Sequence, residues 1–396
     1  MKRRLIAVLC ALVVVVALLG GSWLFAKNVR QANLESAPVM LYPTQSQLSD
    51  FNTMLASYKE RIAQGDNPIL TFGSSELRSN VAGKYSPAQF FLNNADFSLQ
   101  IMGRIHCMSL WDAIEVGAFA NELQDKRVVI FVSMQWFYTS AAKDHASEFQ
   151  AIYSDDAFQA MMANSSISDE TKAALQERMQ EYGVSRDFDQ MDPFEAATTV
   201  IDSALGVKVG NTRAAISLLG GESVKTGAEN SRVALGEGAG SGESVSEDEW
   251  AAIIADAQAQ AEENSEDEQG WYNASRHAEV EAHTISIWPE GDGKRAWADG
   301  EMKDFELLLD VCNEASIEPL IVIQPVKGEM YDKTRYTEQT REELYSSIRE
   351  ACDEHGVQYA DMTTYSYDTY FLRDQSHPSS LGNAYYCKAI YDFMNQ

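Results

Sequence analysis

Near the C-terminus an aspartate stands three residues before a histidine, in the stretch Asp374-Gln375-Ser376-His377-Pro378-Ser379-Ser380. An Asp-x-x-His pair can orient and charge an imidazole as a general base, and a base is what a serine hydroxyl needs to become a nucleophile. Candidate serines lie 300 residues earlier, in Phe72-Gly73-Ser74-Ser75-Glu76-Leu77, directly after the apolar run 69–72. A serine just past a buried parallel strand sits at the carboxyl edge of the sheet, where open α/β folds bind ligands. If a helical turn starts there, its first N–H groups are free to hold a developing oxyanion. Alone, the motif also fits a serine N-cap with Glu76 in the first turn. Set beside Asp374 and His377, it predicts acyl chemistry, in the chain order Ser, Asp, His.

Those residues have to be carried by regular elements. Apolar runs at 69–72, 97–102, 128–133, 320–323 and 357–361 are continuous rather than alternating, which suits strands covered on both faces. Helical patterns at 107–123, 302–315 and 337–355 separate them, the last with Gly356 as its stop. Strand–helix alternation predicts an α/β fold with a central parallel sheet between two helical layers. Residues 150–218 read as mostly helical. Residues 233–270 carry eleven acids and no Lys or Arg, and the segment 220–270 is expected to be a flexible acidic insertion. The cluster Glu-Glu-Asn-Ser-Glu-Asp-Glu at 262–268 lacks an EF-hand pattern and reads as a solvated loop.

The net charge of −28 excludes the basic surface that nucleic-acid binding requires. Residues 5–26 form 22 uncharged, mainly apolar positions after Lys2, Arg3 and Arg4. That length matches a hydrocarbon core of about 30 Å at about 1.5 Å per residue. The expectation is a transmembrane anchor over 1–30 with its N-terminus cytoplasmic, and residues 31–396 as one extracellular domain of a single-pass cell-membrane protein. Cys107, Cys312, Cys352 and Cys387 leave disulfides and buried thiols both open, and without C-x-x-C spacing they predict no zinc site.

The Gly-Ser-Ser block with its distant Asp-x-x-His resembles the SGNH (GDSL-like) hydrolase superfamily, whose three-layer fold is flavodoxin-like. That resemblance makes Ser75 the nucleophile, Asp374 and His377 its partners, and Gly103 in Ile101-Met102-Gly103-Arg104 an oxyanion donor. Ser74 and Gln135 are further oxyanion or substrate-binding candidates, because the superfamily's Gly-x-Asn-Asp block has no counterpart here. Taken with the N-terminal apolar run and with 72–79, 103–117, 128–137, 322–336 and 371–386, the chain resembles the DltD family of teichoic acid D-alanylation. Departures fall at Ile105, His106 and Met108, where that family has two glycines and a glutamine, at Met134, where it has proline, and at Pro378-Ser379-Ser380, where it has a glycine- and tryptophan-rich tail.

The resemblance implies D-alanyl transfer to teichoic acid through a serine ester, with no cofactor and no metal. It also implies a membrane setting, a membrane-bound O-acyltransferase and a D-alanyl carrier protein system as partners. An esterase or O-acetyltransferase acting on an extracellular polysaccharide, and a scaffold with a degenerate site, are the alternatives.

Overall fold

A computed structural model describes residues 37–78, 83–105, 107–138, 146–184 and 245–396, with scattered positions from 10 to 35 and at 232, 233 and 235. The chain falls into two compact units, residues 39–184 with 235–396, and residues 1–38 with 185–234. The first unit carries all the chemistry considered above.

Its centre is a parallel sheet of five strands, β1 (Pro68–Gly73), β2 (Ser98–Gly103), β3 (Arg127–Val132), β4 (Glu318–Ile323) and β5 (Gln358–Asp361). The spatial order is β2-β1-β3-β4-β5. In this doubly wound order the chain reverses direction across the sheet between β1 and β3, so a crevice opens at their carboxyl ends. The strands are apolar throughout because both faces are covered. Along β3, Val128, Ile130 and Val132 enter the main core, while Phe131 on the opposite face meets Tyr386 edge-on at 5.2 Å.

The helices are α1 (Phe51–Ala63), α2 (Pro87–Asn94), α3 (Ser109–Phe119), α4 (Asp155–Ala163), α5 (Asp169–Glu181), α6 (Glu247–Asn264), α7 (Ala274–Ile287), α8 (Asp299–Glu314), α9 (Glu338–His355) and α10 (Ser380–Met394). On one face α3 packs against α8, α4 and α5; on the other α10 packs against α2 and α6. Gly356 ends α9 in the left-handed region at φ 67°. Ser379 caps α10 by accepting from the N–H groups of Leu381 and Gly382. The expected strands and the helices near 107–123, 302–315 and 337–355 are present, with ends shifted by a few residues.

Two expectations need correction. Among the described residues no helix is long and apolar enough to cross a membrane. Within 5–26 the described residues are 10, 13, 14, 16–18 and 20–25, all helical. Other positions of the 5–26 run lie outside the described residues. Hydropathy reports how apolar a segment is and not how long an element it builds, and the single-pass membrane topology is set aside.

The acidic segment also differs from a flexible loop over its second half. Residues 247–264 are α6, opened by a capping box at Ser246 and Glu249. Trp250 is only 1% exposed, stacked on Phe90 at 5.4 Å and edge-on to Tyr391 at 5.4 Å. Its buried face is otherwise Ala257 and Ala261, so a small-residue contact replaces the large apolar stripe that periodicity detects. Residues 220–231, 234 and 236–244, and 185–218 of the expected helical region, lie outside the described residues.

Candidate active site

The turn after β1 is built around two glycines. Gly73 pairs with Gly103 at the ends of β1 and β2. A Cβ on Gly103 would lie 2.2 Å from the carbonyl oxygen of Gly73, and one on Gly73 would lie 2.4 Å from Glu76 Oε1. Only residues without a side chain permit this approach. The chain then enters a 3-10 turn, Ser75–Leu77, at whose start Ser74 makes no side-chain cap. Glu76 instead folds back, and its Oε1 accepts the Ser74 N–H at 2.5 Å. Burial pushes the Glu76 carboxyl above its ordinary range.

The Asp-x-x-His loop arrives from the far side of the sheet. Arg373 N–H donates to the His377 carbonyl at 3.0 Å and Ser379 N–H to that of Phe371 at 3.0 Å, which closes the loop tightly. Asp374 Oδ1 accepts from the backbone N–H groups of Ser376 at 3.0 Å and His377 at 2.8 Å. Both its oxygens lie 2.9 Å from His377 Nδ1. Burial pushes the Asp374 carboxyl up, but the hydrogen bond and charge of His377, the Ser376 N–H and the Arg373 guanidinium outweigh it and hold it below the usual range. An ionised carboxylate only accepts, so Nδ1 carries the proton and Nε2 presents its lone pair. Ser75 Oγ lies 2.8 Å from that Nε2.

A second loop braces the first. Lys327 donates its backbone N–H to the Gln375 carbonyl at 3.0 Å, and its Nζ to the carbonyls of Gln269 and Thr369 at 2.6 Å each. Burial pushes this ammonium down to about 8. Tyr272 N–H donates to the Arg373 carbonyl at 3.0 Å. Gly270, at φ 77°, takes a conformation and a proximity to Thr369 that a side chain would forbid. Trp271 stacks on His277 at 4.4 Å, and His277 Nδ1 is 2.8 Å from Asp267 Oδ2. The end of the acidic segment is thus a wall of the site. Between it and the Asp-x-x-His loop lies a cavity of about 280 Å³ that includes Asp374 and His377, and a second of about 330 Å³ adjoins it.

Of the residues singled out from sequence, Ser75, His377 and Asp374 form one hydrogen-bonded chain. Gly103 lies beside the turn. Ser74 is buried, with its N–H committed to Glu76. Gln135 stands past the end of β3, donates from Nε2 to the Tyr331 hydroxyl at 2.9 Å and lines the second cavity. His106 lies outside the described residues. Cys107, Cys312, Cys352 and Cys387 are buried free thiols. Among the described residues no group of three or more His, Cys, Asp or Glu could hold a metal ion.

Lys327, Arg373, Arg276 and the Trp271–Tyr272 pair were missed. Only Arg373, next to Asp374, carried a positional signal. Behind the turn, Asp112, Glu115 and Glu301 are also buried. Both oxygens of Asp112 and of Glu115 lack any hydrogen-bond partner. Burial raises Asp112 and Glu115 well above the carboxylate range and pushes Glu301 up to about 8.

The sequence has counterparts among known proteins. A curated relative, "Protein DltD" of Bacillus subtilis (strain 168), is 24% identical over 326 residues, covering 81% of this chain and 81% of the relative. The family model described as DltD protein matches residues 45–395, which hold every strand of the sheet, the turn at Ser75 and the Asp374–His377 loop, so the chain belongs to the DltD family.

Proposed function

We propose that the protein is a serine acyltransferase that moves a D-alanyl group onto a hydroxyl of teichoic acid. The observation that carries this reading is the hydrogen-bonded chain from Ser75 Oγ through His377 to Asp374, at 2.8 and 2.9 Å. As Ser75 Oγ bonds to the donor's carbonyl carbon, its proton passes to His377 Nε2. Asp374 stabilises the imidazolium and fixes the tautomer. Collapse of the tetrahedral intermediate breaks the bond to the leaving group, which takes the proton from Nε2 and leaves an acyl-serine ester. The acceptor hydroxyl then gives its proton to Nε2 and attacks that ester, and Ser75 Oγ departs with the proton returned. The backbone N–H groups of Ser75 and Gly103 are the oxyanion donors of this reading.

The acyl group and acceptor come from the family to which the chain belongs, with the pathway's membrane-bound acyltransferase and D-alanyl carrier system as the source of the donor. The test is to incubate the protein with an activated D-alanyl thioester, quench it in acid and map adducts by mass spectrometry. A hydroxylamine-sensitive D-alanyl mass on Ser75, absent in Ser75→Ala, is expected. Transfer to an acceptor at undiminished rate by Ser75→Ala would sink the proposal.

A further inference from the structure

The chain has a net charge of −28, yet Arg276 and Arg373 line the cavity that includes His377. Arg373 packs between the Asp-x-x-His loop and Tyr272, with its Nε 3.7 Å from Asp374 Oδ2. Arg78, exposed at the end of the nucleophile turn, lies close enough for the two positive charges to repel. Arg276, exposed on the first turn of α7, lines both cavities. No carboxylate among the described residues forms an ion pair with Arg78 or Arg276. The acids that face this region are Asp374, engaged by His377, Asp267, engaged by His277, Glu76, which accepts the Ser74 N–H, Glu329 and Asp368, which act on Lys327, and Glu279, which lines only the second cavity. Guanidinium groups suit phosphate because their planar fork donates two hydrogen bonds at once. Like charges converging on a cleft focus a positive potential there even when the whole surface is acidic.

We propose that Arg78, Arg276 and Arg373 form an anion subsite that holds the phosphodiester next to the acceptor hydroxyl. The inference rests on the acyl-transfer reading of Ser75 and adds to it the part of the acceptor that is recognised. Without an anion, Arg373 meets the repulsion of Arg78, and Arg276 adds a further positive charge to the cavity that Arg373 lines. With a phosphodiester between them, that repulsion becomes attraction to a shared anion. Arg276 and Arg78 are the outer contacts and Arg373 the inner one.

The experiment is calorimetric titration of the full chain with a synthetic glycerol-phosphate trimer, with a neutral glycerol oligomer of equal length in parallel. Arg276→Gln and Arg78→Gln, both at exposed positions, are each expected to weaken trimer binding about tenfold. Both should lower its salt dependence, and Arg276→Lys should recover part of the affinity. Arg295→Gln, at an exposed arginine outside both cavities, is expected to bind as the parent does. Equal affinity of the Arg78→Gln/Arg276→Gln double variant and the parent overturns the proposal, as does equal binding of the neutral oligomer. Scoring Ser75 acylation on the parent separates the two readings. Arginine-dependent trimer binding without any acyl-serine overturns the catalysis and leaves the subsite. An acyl-serine without arginine-dependent binding overturns the subsite alone.

Discussion

Asp374 and Asp112 carry the same side chain and stand at opposite ends of one problem. Asp374 is half-buried, but two backbone N–H groups, the His377 ring and the Arg373 guanidinium surround it, and it stays ionised. Asp112 is fully buried in α3, touches no donor and lies near Glu115, Glu301 and Glu76, and burial pushes its carboxyl well above the usual range. Burial acts on both in the same direction. What differs is whether the fold supplies donors and positive charge to offset it. The sheet edge supplies them because loops end there with free N–H groups. The α3–α8 interface, made of two regular helices whose backbone groups bond to themselves, supplies few. One of those few is the Ser109 N–H at the start of α3, which donates to Glu301 at 3.0 Å.

The contrast is broken most forcefully at the rim. Asp374→Asn keeps the shape of the loop but donates where the carboxylate accepted, which favours the wrong imidazole tautomer. A loss of about 10³–10⁴-fold in acyl-serine formation is expected, by analogy with the loss measured for the equivalent change in serine proteases. Loss of less than tenfold would mean that Asp374 does not set the tautomer.

The buried acids predict a smaller effect, on stability. Each has a folded value raised above its ordinary one, so the folded state binds more protons than the unfolded state in between. That stabilisation is complete below the ordinary value and is lost as pH rises through the folded one. For Glu301 the window runs from 4.5 to about 8. Melting temperature should therefore fall as pH is raised across that window. Glu301→Gln and Asp112→Asn, which mimic the neutral acids, should flatten the slope by a few degrees each. A parent protein whose melting temperature is flat from pH 5 to 8 would show these carboxyls to be ionised and paired.

Much of the fold was readable in the sequence because parallel strands covered on both faces announce themselves as unbroken apolar runs. The hydrogen-bonded Ser75, His377 and Asp374 were readable because serine after a strand and Asp-x-x-His are local patterns. Lys327 was not, since its role depends on two carbonyls, of Gln269 and Thr369, that lie far apart in the chain. Trp250 was not, because one large residue with two alanines makes a buried face without a periodic stripe. The apolar N-terminal run gave the opposite error, a strong local signal without a described helix of the required length.

The central claim is that Ser75 is a nucleophile activated by His377. A serine-reactive fluorophosphonate applied to the purified protein, with the adduct mapped by mass spectrometry, tests it directly. The account predicts a single adduct on Ser75 that disappears in His377→Ala. An adduct on Ser74, or Ser75 labelling that persists undiminished in His377→Ala, would contradict it.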